Sequence, residues 1–203
     1  MKRFIMFLGL ILVLILLPTS SPKHSIELKN SSVSIVNDKS KTVSIGIPFG
    51  DKKGQKLVPT ALYYEFVLKN VGKKVVGEKG LRVTIEPNEK LEAKSKEIMG
   101  FNIYNPTSYE GSGLGYGGGG SSHSILKPNE ESTFCIYYLL GVNEENPGVA
   151  PLTPLKEKLN ELKDNALDVT LVVIHGNEEI AHFDLNRNND IADTASNKIR
   201  EGI

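Results

Sequence analysis

The chain has 203 residues, and its 24 lysines and arginines balance its 24 aspartates and glutamates. A neutral chain of this length can bury a core of its own, but it lacks the cationic excess that phosphate binding requires. We therefore expect one folded domain and no nucleic-acid partner.

Residues 1–21 have the layout of a secretory signal. Lys2 and Arg3 precede an apolar run over residues 4–17, and Pro18 and small residues follow. As a helix, the run reaches about 21 Å, against about 30 Å of bilayer hydrocarbon. The segment is either a cleaved signal peptide or a retained membrane anchor, and residues 4–17 are the only predicted membrane contact. Both alternatives place the rest of the chain outside the cytoplasm, either secreted or held at the outer face of the membrane.

The rest of the chain divides into a polar tether at 22–32, a folded domain at 33–185 and a polar tail at 186–203. The only cysteine, Cys135, cannot form an internal disulfide, and an exported chain without disulfides is typical of a bacterial cell envelope. Alternating apolar and β-branched residues predict five strands in the first half of the domain: 32–36, 42–47, 60–70, 81–87 and 97–106.

Residues 105–124 form a glycine-rich loop without apolar periodicity. A loop of this length is unusual in a compact domain and indicates function or disorder. No lysine stands between Lys96 and Lys127, so the loop cannot be the phosphate cradle of a nucleotide-binding protein. A strand rather than a helix is predicted after it, which excludes a dinucleotide fingerprint.

The same loop has the composition of a binding loop, because tyrosine supplies contact area while serine and glycine adapt. Its candidate partner-binding residues are Tyr104, Tyr109, Tyr116 and His123. The alternative is a flexible crossover between two sheets.

The second half of the domain begins with a turn at Pro128 and Asn129 and a strand up to residue 141. A helix is predicted at 153–166, capped by Thr153 with Pro154 at its first position. Its apolar positions fall on one stripe: Leu155, Leu159, Leu162 and Ala166. This helix either covers an open edge of the sheets or binds a partner. A hairpin at 168–185 turns at Gly176 and Asn177.

Residues 184–193 resemble the first half of a helix-loop-helix calcium loop. Oxygen-bearing side chains stand at the alternate positions Asp184, Asn186, Asn188 and Asp190. The segment lacks the glycine at the sixth position and the glutamate at the twelfth, where Ala195 stands. Calcium is the one cofactor that the sequence offers, and a solvated asparagine-rich end is the alternative.

Two sequence segments resemble those of bacterial immunoglobulin-like domains in exported proteins. The first is YEFVLKNVGKKVV at 64–76, an alternating strand followed by Asn70 and Gly72. The second is ILKPNEESTFCIYYLL at 125–140, a turn followed by a strand. It carries the matching residues Leu126, Pro128, Glu130, Phe134 and Tyr138.

The resemblance implies a fold rather than an activity. We therefore expect a mostly β chain: an immunoglobulin-like antiparallel β-sandwich with one inserted amphipathic helix at about 153–166 and an N-terminal export helix. Functionally, we expect a non-catalytic interaction or structural module of the bacterial cell envelope that contacts a protein or glycan through residues 105–124. The alternative is a calcium-binding or metal-dependent exported protein that uses residues 184–193.

Overall fold

The computed structural model describes residues 26–105, 125–144 and 150–186, which form antiparallel sheets and two helices. The predicted export segment and most of the predicted tail lie outside these residues. In chain order the elements are β1 (Ile26–Val36), β2 (Ile45–Gly46), β3 (Lys56–Leu57), β4 (Thr60–Asn70), β5 (Leu81–Pro87), α1 (Glu89–Met99), β6 (Glu131–Gly141), α2 (Lys156–Asp164), β7 (Val169–His175) and β8 (Glu178–Asp184).

Two three-stranded antiparallel sheets share one hydrophobic core. The first has the strand order β1-β4-β6, the second has the order β5-β7-β8, and β2 and β3 form a separate two-stranded pair. Leu62 and Phe134 of the first sheet and Ile85 and Leu171 of the second belong to the same buried cluster. The predicted mostly β, antiparallel class is confirmed, and the arrangement is compatible with a β-sandwich.

Strand β4 is the centre of the first sheet, as its apolar alternation predicts. Leu62, Tyr64, Phe66 and Leu68 are completely buried on the face that points to the core. The opposite face carries Glu65 and other half-buried side chains. Burying one such row of large side chains contributes several kcal/mol, on the order of 2 kcal/mol for each side chain.

Strand β1 begins at Ile26 and therefore includes residues that the sequence assigns to the tether. Ile26 and Leu28 pack against the core, whereas Glu27 and Lys29 are exposed and form an ion pair of 3.1 Å. A register shift between Leu28 and Asn30 marks a bulge in the pairing with β4. The alternation needed for a strand is present here, but it is short and lies among polar residues.

The predicted strand at 97–106 is wrong, because residues up to Met99 belong to helix α1 and a turn follows. The side-chain oxygen of Asn88 accepts a hydrogen bond of 2.9 Å from the backbone N–H of Leu91, which caps the helix. Gly100 ends the helix in the left-handed region with a φ of 79°. These local capping interactions outweigh the weak strand preference of the residues that follow.

The predicted helix is present as α2 but is shorter than predicted, and three of the four residues of its predicted apolar stripe are buried. Leu159, Leu162 and Ala166 are buried, whereas Leu155 is 76 % exposed just before the helix. Thr153 is not the cap, because the helix begins at Lys156 and its N-cap position is Leu155, which makes no side-chain capping bond. The Thr153 hydroxyl instead donates to the Thr60 hydroxyl at 3.4 Å. Among the described residues, neither helix is long and apolar enough to cross a bilayer.

Both turns predicted for the second half are present. Asn129 has a φ of 64° before β6, and Gly176 has a φ of 63° between β7 and β8. Asparagine and glycine tolerate this left-handed conformation at the lowest steric cost.

Candidate functional site

The residue that leads into the glycine-rich loop, Tyr104, is attached to the core. Its hydroxyl lies 2.9 Å from that of Tyr64, and its ring meets the Tyr138 ring edge-on at 4.8 Å between centroids. The Tyr64 hydroxyl donates a hydrogen bond of 3.0 Å to the carbonyl of Ala166. Because a hydroxyl has only one hydrogen to donate, Tyr104 is the donor in the bond between the two hydroxyls. This tyrosine cluster (Tyr64, Tyr104 and Tyr138) holds the start of the loop against strands β4 and β6 of the first sheet.

Burial in the core changes the acidity of these phenols. Loss of hydration raises the pKa of Tyr64, Tyr104 and Tyr138 well above the ordinary value of a tyrosine. All three therefore stay neutral at physiological pH and act as hydrogen-bonding and packing groups.

The backbone between α1 and Tyr104 is fixed by one buried serine. The Ser95 hydroxyl accepts a hydrogen bond of 2.9 Å from the N–H of Ile103 and donates to the carbonyl of Phe101 at 3.3 Å. The side-chain oxygen of Asn102 accepts from the N–H of Tyr104 at 3.0 Å. Phe101 and Ile103 are buried, so this turn is part of the core.

The end of the loop is fixed by a buried asparagine. The side-chain amide of Asn70 donates to the carbonyls of Leu126, at 2.9 Å, and Lys74, at 2.7 Å, and its oxygen accepts from the N–H of Gly72 at 2.9 Å. Leu126 is completely buried and exchanges two backbone hydrogen bonds with Val76. Asn70 thus joins the end of β4, the following turn and the return of the chain from the loop.

The structure places only one of the four predicted partner-binding residues. Tyr104 is half-buried and its hydroxyl is bonded, so it positions the loop and presents little of its ring to solvent. Tyr109, Tyr116 and His123 lie outside the described residues, and their roles stay predictions. Ile125, directly after the loop, is 57 % exposed, an apolar side chain at the point where the loop rejoins the sheet.

A second candidate site is a cleft of about 330 Å³ at one end of the second sheet. Its polar lining comprises Glu86, Asn88, Asp168, Thr170, Asp184 and Asn186. The strand register sets Glu86, Thr170 and Asp184 side by side on β5, β7 and β8. Asp184 accepts a hydrogen bond of 3.2 Å from the N–H of Asn186, and Lys90 lies 3.7 Å from Asp168.

The cleft brings together two of the four predicted calcium ligands, Asp184 and Asn186. Asn188 and Asp190 lie outside the described residues. In the parts of the chain that the structure describes, no three histidine, cysteine, aspartate or glutamate side chains converge closely enough to hold a metal ion. A calcium site in this cleft would therefore need ligands from the residues after Asn186.

Sequence reasoning missed the carboxylates of Glu86 and Asp168, which line the same cleft. The pairing of β5 with β7 brings Glu86 to this cleft, and no local pattern predicts that pairing. Asp168 directly precedes β7, at the open end of the hairpin that the sequence predicts at 168–185. No known protein family, curated protein or solved structure matches this chain. The immunoglobulin-like assignment consequently stays a prediction beyond the mostly β fold.

Proposed function

We propose that this protein is a non-catalytic interaction module of the bacterial cell envelope that contacts a protein or glycan partner through residues 105–124. The observation that carries the proposal is the fixing of both ends of this loop, by the tyrosine cluster at Tyr104 and by Asn70 at Leu126. Binding loops characteristically stand on such rigid scaffolds. The tyrosine, glycine and serine content of the loop supports the same function.

Export and an immunoglobulin-like fold belong to the same proposal. The layout of residues 1–21 supports export, and the lack of a possible internal disulfide supports a bacterial envelope. Two three-stranded antiparallel sheets around one core support the sandwich. Such a scaffold presents loops at its ends without using catalytic residues.

The loop proposal predicts that its tyrosines carry binding. We expect the double variant Tyr109→Ala, Tyr116→Ala to bind isolated envelopes of the producing cell about tenfold or more weakly, because each tyrosine anchor typically contributes more than about 1 kcal/mol. Binding of the labelled chain to sedimented envelopes measures this loss. The matched control, Ser121→Ala with Ser122→Ala, changes the same loop without removing an aromatic ring. Equal binding by both variants would leave the loop as a crossover only.

We propose calcium binding by residues 184–193 as the second candidate function, with ligands after Asn186 completing the site. Its support is that Asp184 and Asn186 line one cleft with two further carboxylates, Glu86 and Asp168. A ligand that binds only the folded state, at a hundred times its Kd, stabilises it by about 2.7 kcal/mol. For a chain of this size, we expect calcium to raise Tm by roughly 5–10 °C relative to a chelator.

The control compares a carboxylate in the cleft with one outside it. Asp184→Asn should abolish the calcium-dependent rise in Tm, whereas Asp51→Asn, an exposed carboxylate in the turn after β2, should preserve it. A thermal melt followed by circular dichroism measures both. Identical melting of the unaltered chain in calcium and in chelator removes this candidate.

A further inference from the structure

A groove of about 430 Å³ lies between strand β1 and helix α2, and it shares no lining residue with the carboxylate cleft. It is lined by residues 33–35 of β1 and by Lys156, Leu159, Asn160 and Lys163 of α2. Leu159 is only 7 % exposed and supplies an apolar floor, while the other three helix residues supply polar walls.

The strand side of the groove is an edge of the first sheet. In the described residues, β1 pairs with β4 on one side and has no strand on the other. Val33 and Ile35 are paired with Tyr64 and Leu62, whose side chains point to the core, whereas the neighbouring Ser34 points to the opposite face. A groove that touches three consecutive residues therefore meets the edge of the strand, where backbone N–H and C=O groups point outward.

The helix side presents a single face of α2. At about 100° per residue, Lys156, Leu159, Asn160 and Lys163 fall within an arc of about 100°. From Lys156 to Lys163 this face is about 10.5 Å long. An extended peptide covers that length with about three residues, so the groove matches a short strand lying parallel to the helix.

The charge of the groove favours an acidic occupant. Lys156 and Lys163 stand at its two ends, while Glu157 and Glu161 point to other faces of the helix. Glu161 is engaged by Lys94 of α1 at 2.7 Å. Asp164 also lies 3.5 Å from Lys163, in an exposed pair that contributes little against a ligand.

We propose that this groove binds an extended peptide with acidic side chains, which adds to β1 as a further strand. Backbone hydrogen bonds to the strand edge hold the peptide, Leu159 contacts an apolar side chain, and the two lysines pair with carboxylates. The partner is thus an acidic segment of another protein. None of the residues that line this groove belongs to the 105–124 loop, so the inference does not depend on the function proposed for that loop.

The test uses the full-length chain and a fluorescent pentapeptide, Glu-Thr-Val-Thr-Glu, followed by anisotropy. In an extended peptide the first, third and fifth side chains share one face, so this peptide presents a valine to Leu159 and a glutamate to each lysine. We expect saturable binding that weakens about tenfold or more in the variant Lys156→Glu, Lys163→Glu, because attraction becomes repulsion at both ends. The matched control, Lys73→Glu with Lys74→Glu, changes net charge equally at an exposed turn and should bind like the unaltered chain. The variant Lys156→Gln, Lys163→Gln removes both positive charges without reversing them. We expect it also to weaken binding, so the test still holds if charge reversal perturbs α2.

A second probe separates strand addition from simple charge attraction. The same peptide with alternate backbone nitrogens methylated keeps its carboxylates but loses hydrogen-bond donors to the strand edge. We expect its binding to weaken by about tenfold or more. The proposal is overturned if the methylated peptide binds as tightly as the unmethylated one, or if the unaltered chain does not bind the peptide. It is also overturned if the control variant Lys73→Glu, Lys74→Glu weakens binding as much as Lys156→Glu, Lys163→Glu does. A dimer of the chain that Lys156→Glu, Lys163→Glu dissociates would overturn it too, because the occupant would then be a second copy. Unchanged binding in Tyr109→Ala, Tyr116→Ala keeps this result independent of the loop.

Discussion

Replacing Gly141 with alanine is expected to lower the free energy of unfolding by about 4 kcal/mol, from backbone strain and overpacking together. Gly141 ends β6 with a φ of 139°, a conformation that residues with a Cβ rarely adopt. A Cβ at this position would lie 2.7 Å from the backbone nitrogen of Thr153 and 2.8 Å from its Cα. The obstruction is backbone, so no side-chain rotation can relieve it.

Urea denaturation measures this loss, and the chain supplies a matched control. Gly46 in β2 has no atom within 4 Å of an added Cβ and no positive φ. Gly46→Ala is therefore expected to change the free energy of unfolding by less than about 1 kcal/mol. Similar losses in the two variants would show that the approach of residues 152–153 to Gly141 is not a tight contact.

Raising the pH from 9 to 11 is expected to remove about 4 kcal/mol of stability through the tyrosine cluster. Burial raises the pKa of Tyr64, Tyr104 and Tyr138 in the folded state, whereas the unfolded chain ionises near pH 10. The contribution is fully present below pH 10 and is lost as pH rises towards the raised values. Each phenol accounts for about 1.4 kcal/mol per pH unit in that window.

The variant Tyr138→Phe tests whether the tyrosine cluster causes this loss of stability at high pH. Burial is the cause of the raised pKa of Tyr138, so removing its hydroxyl should remove about a third of the loss that the three phenols of the cluster contribute. Stability at pH 7 should change little, because the ring and its packing on Tyr104 are kept. Urea denaturation at pH 7, 9 and 11 measures both quantities. An unaltered chain with the same stability at pH 9 and 11 would contradict the prediction.

Local signals predict those parts of the fold that local interactions form. The alternation of β4, the turn at Asn129 and the hairpin turn at Gly176 depend on residues that are neighbours in sequence, and the structure confirms all three. Helix α1 was missed, although Asn88 and Gly100 are ordinary capping residues, because its apolar stripe is short. The first half of β1 was missed because only Ile26 and Leu28 reveal its buried face.

The candidate sites could be predicted only in part, because strands distant in sequence form them. Asp184 and Asn186 were recognised from their own spacing, and Asp168 stands at the open end of the predicted β7–β8 hairpin, but Glu86 reaches the same cleft only through the pairing of β5 with β7. The groove at Lys156 likewise depends on where α2 lies against β1. Neither pairing leaves a periodic pattern in the sequence.

The wide sequence separation of the paired strands also determines when a growing chain can fold during synthesis. Lys69 and Glu131, which close one end of the β4–β6 ladder, are 62 residues apart, and Lys79 and His175, beside the β5–β7 ladder, are 96 apart. Closing such long loops loses entropy before any contact compensates for it. A nascent chain that ends before β6 has one neighbour for β4 and an uncovered apolar face. The native core can therefore assemble only after most of the protein has left the ribosome.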